Sequence, residues 1–330
     1  MRRVRGTTYR SLGLAALAAG ALAVAGCGDD DSDSSGEGAQ PAPSAADFPT
    51  PDGRTLEELY ADSNPGDLVV SPAGLTVNQG RNRFGFGVFT ISQEQVTDAE
   101  VAIYAAHGPH GEAKGPFPAR IESLETETAF TAKTTADDPD AAKVVYVSDL
   151  VLDAPGEWRL IALIRQDGEI TASRVTTSLV VRRDDPVPAP GEHAPSVHTP
   201  TTDDVADVSE IDTRIPPSTL HEDDLADVLG KEPVVLLFAT PALCQSRVCG
   251  PVVDVAEQVS NEHQDDAAFI QMEIYADNDP NKGLREQVRA YNLQTEPWLF
   301  VIDRNGRVDT RIEGAFSAAE LEHALERVGV

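Results

Sequence analysis

Three cysteines occur in the 330 residues, and two of them, Cys244 and Cys249, lie close together in the last third of the chain. Two thiols at this spacing can close a disulfide, exchange with another disulfide, or hold a soft metal ion; the reactive form in each case is the thiolate. What precedes and follows them matters. Val234 to Ala239 is an unbroken apolar run that reads as a strand buried on both faces, as in a parallel sheet, and it ends at Thr240-Pro241. After the cysteines, Val252, Val255, Ala256 and Val259 recur at helical spacing and form one stripe of an amphipathic helix. The thiols therefore sit between a strand and a helix N-terminus, where free N–H groups and the helix dipole favour a thiolate. Arg247 adds a nearby positive charge. Five positions on one helix are about 140° apart, so a bridge requires Cys244 in the loop and Cys249 at the helix start.

The beginning of the chain bears on whether such thiols meet an oxidising environment. Arg2, Arg3, Arg5 and Arg10 precede a short apolar run from Leu12 to Ala25, which is too short to span a bilayer comfortably. Val24-Ala25-Gly26-Cys27 resembles a bacterial lipobox. That resemblance implies removal of residues 1–26 as a signal peptide and lipid attached at Cys27, with the protein held on the extracytoplasmic face of the bacterial cell membrane. The alternative is an ordinary signal peptide followed by a chance cysteine. With Cys27 capped, Cys244 and Cys249 are the only free pair in an oxidising compartment. A net charge of −29 argues against nucleic acid as a partner and against electrostatic adhesion to anionic lipid. Residues 27–64 are polar and rich in Pro, Ser and Gly, as expected of a disordered tether, with a short helix at Thr55 to Ala61.

Residues 65–183 carry the period of strands: Leu68–Val70, Leu75–Val77, Arg83–Thr90, Ala99–Ala105, Val144–Leu152, Trp158–Arg165 and Ile170–Val181. Many short strands with turn signals between them predict a β-sandwich of about a hundred residues. The set resembles an immunoglobulin-like domain, with Pro155-Gly156-Glu157-Trp158 opening a late strand, although no cysteine pair links the sheets as in antibody domains. His107 and His110 lie in one loop and offer imidazoles to copper or zinc; the plainer reading is an ordinary Gly/Pro-rich hairpin loop, with the domain a spacer or a partner-binding module. Residues 184–205 are proline-rich and read as a semi-rigid linker.

Residues 206–330 predict an α/β domain. Thr219 and Glu222 form a capping box for a helix through Leu225, Val228 and Leu229; the buried strand and the long helix follow. Phe269–Tyr275 is the next strand, a short helix carries Leu284, Val288 and Tyr291, and a hairpin turns at Asn305-Gly306 between a strand after Pro297 and one at Val308–Ile312. Ser317 and Glu320 cap the last helix. This order, the Tyr291-x-Leu-x-x-x-Pro297 approach and the Asp303-Arg-Asn-Gly turn are similar to thioredoxin-like proteins, and Pro190-Gly-Glu-His-Ala-Pro195 looks like the opening sequence of redoxin and TlpA-like domains. The resemblance implies a cis Pro297 facing the cysteines, with the backbone at Glu296 pairing with a substrate strand. It also implies Cys249 as the attacking thiol and Cys244 as its resolving partner, because Cys249-Gly250-Pro251 matches the start of the common Cys-Gly-Pro-Cys while Val252 takes the second cysteine's place.

Four readings of the pair follow. It cycles between dithiol and disulfide on exported proteins or with a redox partner, using no cofactor and no metal. It is instead a structural disulfide of a non-catalytic binding protein, a modest staple for so small a loop at ~2–3 kcal/mol. Ser246-Arg247-Val248-Cys249 is similar to part of a peroxiredoxin motif, and copper-delivery proteins of the same fold place a cysteine pair at this point together with a histidine, for which His263 is badly situated. No GxSxG, P-loop, HExxH or dinucleotide fingerprint occurs. Replacing Cys27 with Ser is expected to move the protein from the membrane fraction to the soluble fraction; a variant that stays membrane-bound contradicts the lipid anchor.

Overall fold

The computed structural model describes residues 39–330 apart from Asp167, Asp184 and Gln245. Cys27, the signal segment and the first part of the expected tether lie outside the described residues. The remainder of that expected tether is folded. Phe48, Leu56 and Leu59 are buried, and helix α1 (Leu56–Asp62) starts at a capping box formed by Thr55 and Glu58. These residues cover Ala102, Tyr104, Ile161 and Leu163, one face of a sheet that would otherwise be bare, and the Tyr104 hydroxyl donates to the Pro49 carbonyl at 2.6 Å. A few apolar side chains in polar surroundings suffice for this, which average composition does not reveal.

Ten strands make the first sheet: β1 (Asn64–Pro65), β2 (Val69–Pro72), β3 (Gly80–Phe89), β4 (Gln95–Val96), β5 (Glu100–His107), β6 (Lys114–Ser123), β7 (Val144–Leu152), β8 (Gly156–Gln166), β9 (Glu169–Arg174) and β10 (Leu179–Val181). They run in the order β1-β9-β8-β5-β6-β7-β3-β2, with β10 beside β8 and β4 beside β3. The sequence reading misses β6, because Pro116 and Pro118 weaken the strand signal. Yet β6 joins the two halves, pairing with β5 along its first part and with β7 along its second. Phe84, Phe86, Tyr146 and Leu150 from one half meet Val101, Ile103, Trp158 and Leu160 from the other in a common core. Leu75–Val77 is not a strand. The N–H groups of Leu75 and Thr76 donate instead to the Glu313 carboxylate, at 2.9 and 2.7 Å.

The second sheet has four strands, β11 (Val234–Phe238), β12 (Ala268–Met272), β13 (Trp298–Ile302) and β14 (Val308–Glu313), in the order β12-β11-β13-β14. β11 is parallel to β12 and antiparallel to β13, which is antiparallel to β14. With the helices α4 (Cys249–His263), α5 (Glu286–Ala290) and α6 (Ala318–Val328), this is the strand–helix–strand–helix–hairpin–helix order of a thioredoxin-like domain. β11 is buried on both faces, as its apolar run predicts. Val235 and Leu237 face α4 and α6, whereas Val234, Leu236 and Phe238 face Leu225, Val288 and Tyr291.

Two sequence expectations change here. The proline-rich segment is no free linker: Val187 and Ala194 are buried, and the chain pairs with the β13–β14 hairpin through Gly191 N–H to Val308 O (2.7 Å), Val308 N–H to Glu192 O (2.9 Å) and Ala194 N–H to Gly306 O (3.0 Å). Thr219 does not cap a helix either. Its N–H and hydroxyl both go to Glu257 on α4, and the short helix α3 (Leu225–Val228) starts later, behind Asp224. That leaves helix α2 (Lys133–Ala136), which lies in the β6–β7 connection.

The two sheets do not fold as separate beads. Leu124, Val145 and Val147 belong to the same hydrophobic cluster as Val252, Val253 and Phe316 of the second domain. At its edge Glu320, which completes the Ser317 capping box of α6, accepts from Arg83 at 2.7 Å and from Arg120 at 2.8 Å. Among the described residues no helix is long and apolar enough to cross a membrane. Glu320→Ala leaves the Arg83 guanidinium without its carboxylate, leaves Arg120 only Glu122 and Asp149, and opens the capping box of α6. The expected loss in denaturant-measured stability is roughly 2–4 kcal/mol; a change below about 0.5 kcal/mol, as for an exposed pair, contradicts a bridging role.

Candidate active site

The site begins where β11 runs out. After Phe238 the chain turns back on Thr240, whose carbonyl accepts from the N–H groups of Leu243 and Cys244 at 3.3 and 3.1 Å. Arg247 adopts a left-handed φ of 64° immediately before α4. Val248 supplies no side-chain cap, and Pro251 in the first turn has no N–H that needs an acceptor, so among the described residues the opening N–H groups of α4 have no side-chain cap. Cys244 in the loop and Cys249 at the helix start are bonded as a disulfide, with Cα atoms 6.0 Å apart.

The two sulfurs differ in exposure. Cys249 is 0% exposed, whereas Cys244 is half-buried beside exposed Ser246, whose Oγ lies 3.0 Å from its sulfur. The cysteine that the Cys-Gly-Pro match implies as the attacking thiol, Cys249, is thus the more buried of the two. Of the two residues, Cys244 is the one left partly open to solvent.

Glu296 and Pro297 do come to the cysteines. Their peptide bond is cis, and Glu296 Oε2 lies 3.8 Å from Cys249 Sγ. The loop is fastened on both sides: Gly314 N–H donates to the Pro297 carbonyl at 2.9 Å, and the Thr295 hydroxyl donates to Glu313 Oε1 at 2.6 Å. Since Glu313 also holds Leu75 and Thr76, one carboxylate ties the cis-proline loop to the first domain.

Acidic groups stand behind the disulfide. Burial pushes the Glu296 carboxyl up to about 7, despite a bond from the Tyr275 hydroxyl at 3.4 Å, and the neighbouring charge of Glu273 adds to the rise. Glu273 is raised too, again by burial, although Thr213 donates to it through both N–H (2.7 Å) and hydroxyl (2.9 Å). Asp212 shows the opposite outcome. Burial would raise it, but His221 at 3.2 Å and the N–H groups of Arg214 and Ser218 outweigh that and hold it low.

A segment from the first domain covers the start of α4. Asp254 accepts from Arg214 Nε at 2.9 Å and from the Ala132 N–H at 3.1 Å; Arg214 in turn donates to the carbonyls of Phe130 (2.6 Å) and Pro216 (3.0 Å). Ala142 N–H donates to the Arg247 carbonyl at 3.0 Å, and the Arg247 guanidinium reaches Asp140 at 3.4 Å rather than either sulfur. The fit is close enough that a Cβ on Gly250 would stand 2.8 Å from Thr135 Oγ1. Beside Ser246 and Val248 a groove of about 570 Å³ opens, with Phe86, Phe89 and Ile91 on its far wall.

Among the described residues, Cys244, Cys249 and Glu296 are the metal-capable donors that converge, their atoms lying within 4.8 Å of one another. The sulfurs are bonded to each other, so neither offers a thiolate. His107 turns to the Pro155 carbonyl at 3.0 Å, and His263 pairs with Glu322 at 2.8 Å at the far end of α4. Sequence reasoning missed Thr240, Glu273, Tyr275, Arg214 and Asp254. A carboxylate inside the apolar run Phe269–Tyr275 was a signal for Glu273; nothing local marks Arg214 or residues 130–142 as neighbours of α4.

No family model matches the chain, and no curated protein matches its sequence. Among solved structures it is similar to a Chlorobium tepidum protein assigned as thiol:disulfide interchange protein DsbE, at 19% identity over 43% of this chain and 98% of that one, with a TM-score of 0.29. It is also similar to a thioredoxin-family thiol:disulfide interchange protein from Chlorobium tepidum TLS (21% identity, 44% and 99% covered, TM-score 0.28). The filamin domain of Lin-41 matches 37% of this chain over its own full length at 10% identity, with a TM-score of 0.20. Strand order, register and the cis-Pro297 loop carry the thioredoxin-like assignment, not these scores.

Proposed function

We propose that the chain is an extracytoplasmic, lipid-anchored thiol–disulfide oxidoreductase acting on exported proteins, its thioredoxin-like domain carried on an immunoglobulin-like sandwich. One observation supports this most: the disulfide joins a reachable sulfur, Cys244, to a fully buried one, Cys249, at an uncapped helix start beside a cis-prolyl loop. A disulfide serving only as a staple has no use for that asymmetry.

In the oxidising direction, a thiolate of the partner attacks Cys244 Sγ. The Cys244–Cys249 bond breaks and its electron pair leaves on Cys249, where the free N–H groups of the first turn of α4 favour the negative charge. The partner's second thiolate then attacks its own sulfur in the mixed disulfide and displaces Cys244. The partner leaves as a disulfide and this chain as a dithiol; the reverse sequence reduces a partner, and relative potentials decide the direction. Glu296 and Pro297 present the edge along which the partner's backbone lies.

Insulin reduction and refolding of a scrambled disulfide protein test the reading. Wild-type protein is expected to turn over in both assays. Cys249→Ser is expected to stall as a mixed disulfide on Cys244, and Cys244→Ser to be inert and free of adduct. Equal activity of both variants, or adducts on Cys249 alone, contradicts the assignment.

A further inference from the structure

We infer that the first domain selects the partner: the groove beside Cys244 takes apolar side chains that flank the exchanging cysteine of an exported polypeptide, and Phe89 and Ile91 of the sandwich decide which partners fit. This rests on the exchange reading of the same site.

The groove encloses about 570 Å³, within the roughly 300–1,000 Å³ of a binding pocket. One wall is the loop Ser246 to Val248 beside the disulfide. The other is the sandwich, with Val69 on β2, Phe89 at the end of β3 and Ile91 in the turn that follows. Ile91 is 72% exposed and Val69 38% exposed, so two large apolar side chains stand in water at the rim. A lone exposed apolar residue is ordinary, but several around one concave apolar wall mark a binding surface.

The turn that carries Ile91 is held in place. Thr90 N–H donates to the Glu94 carbonyl and Gln93 N–H to the Thr90 carbonyl, both at 2.9 Å, and Gln93 takes a φ of 68°. Gln93 then accepts from the Arg247 guanidinium through its main-chain carbonyl at 3.3 Å and its side-chain oxygen at 3.4 Å. Arg247 thus fastens the sandwich turn to the loop that carries Cys244, and the two walls are joined at one end.

Charge and reach identify the occupant. Among the described residues lining the groove, Arg247 and Asp140 alone are charged, and they pair with each other at 3.4 Å. What the groove offers a ligand is therefore apolar burial, and a net charge of −29 disfavours acidic flanks as well. In a mixed disulfide the partner's cysteine Cα lies about 4.4–6.8 Å from that of Cys244, and each further residue of an extended chain adds about 3.3 Å. Ser246, whose Oγ is 3.0 Å from the Cys244 sulfur, is itself part of the groove wall. The groove is continuous with the point of exchange, and the residues one to three places from the partner's cysteine arrive in it.

The test is reduction of the disulfide in the full chain by two synthetic dithiol peptides with the same cysteine pair, flanked on both sides by Leu-Phe in one and by Ser-Gly in the other. Acid quenching, alkylation and mass spectrometry give the second-order rates. Burial of two apolar side chains predicts that the Leu-Phe peptide reacts with wild type about 10-fold faster or more, and that the ratio falls to about 2 or less in Ile91→Ser. Independently of any variant, a Leu-Phe peptide carrying a photoreactive leucine analogue next to its cysteine is expected to label residues 86–91 of the wild-type chain. Equal rates for the two peptides on a wild-type protein that dithiothreitol reduces normally, or labelling that misses this groove, overturns the inference and leaves the exchange reading intact. A wild-type dimer in sedimentation that Ile91→Asp dissociates assigns the groove to a second copy of the chain and overturns it too. A wild-type disulfide that resists dithiothreitol overturns the exchange reading, and this inference falls with it.

Discussion

The covered start of α4 is the constraint from which the rest of the site follows. Arg214 is 5% exposed and Asp254 1% exposed, and two charges taken out of water at such depth are tolerated only when their remaining polar atoms are satisfied. Here they are, by each other, by the Phe130 and Pro216 carbonyls and by the Ala132 N–H. Phe130 and Ala132 belong to the first domain, so the ion pair clamps that domain's β6–β7 connection onto the helix that begins with Cys249. The helix so clamped begins at the fully buried Cys249, while Cys244 in the loop before it stays partly open.

The neighbours of the buried cysteine are acidic. The carboxyl of Glu296 lies 3.8 Å from Cys249 Sγ and is pushed up to about 7 by burial, and the charge of Glu273 adds to that rise. The first domain is tied to this loop too, because Glu313 holds Leu75, Thr76 and Thr295 together and so links the sandwich to the cis-prolyl loop as well as to α4.

How much of this could be read from the sequence varied with the range of the interaction. β11 was legible because a strand buried on both faces writes itself as a continuous apolar run, and α4 and α6 because their stripes repeat at helical spacing. The placing of Glu296 and Pro297 beside the cysteines followed from resemblance. The unequal burial of the two cysteines did not follow, nor did the contacts that residues 130–142, distant in sequence and carrying no motif, make with Arg214, Arg247 and Asp254. β6 was hidden by its prolines, the strap at residues 187–194 by the same composition that suggested a linker, and the true partner of Thr219 by the nearer Glu222, when it is Glu257 on α4 that takes its donors. Short-range patterns were visible in the chain; the contacts between its domains were not.

Everything functional depends on the Cys244–Cys249 bond being one that a biological dithiol can open. Equilibrating the folded protein with glutathione buffers, and quantifying oxidised and reduced forms by mass spectrometry, gives that bond's reduction potential directly. An exchanging pair is predicted to fall within the range of thiol–disulfide oxidoreductases, roughly −120 to −270 mV. A value below about −300 mV, where structural disulfides resist the glutathione pool, would contradict the account and make the bond a fixed link in a binding protein.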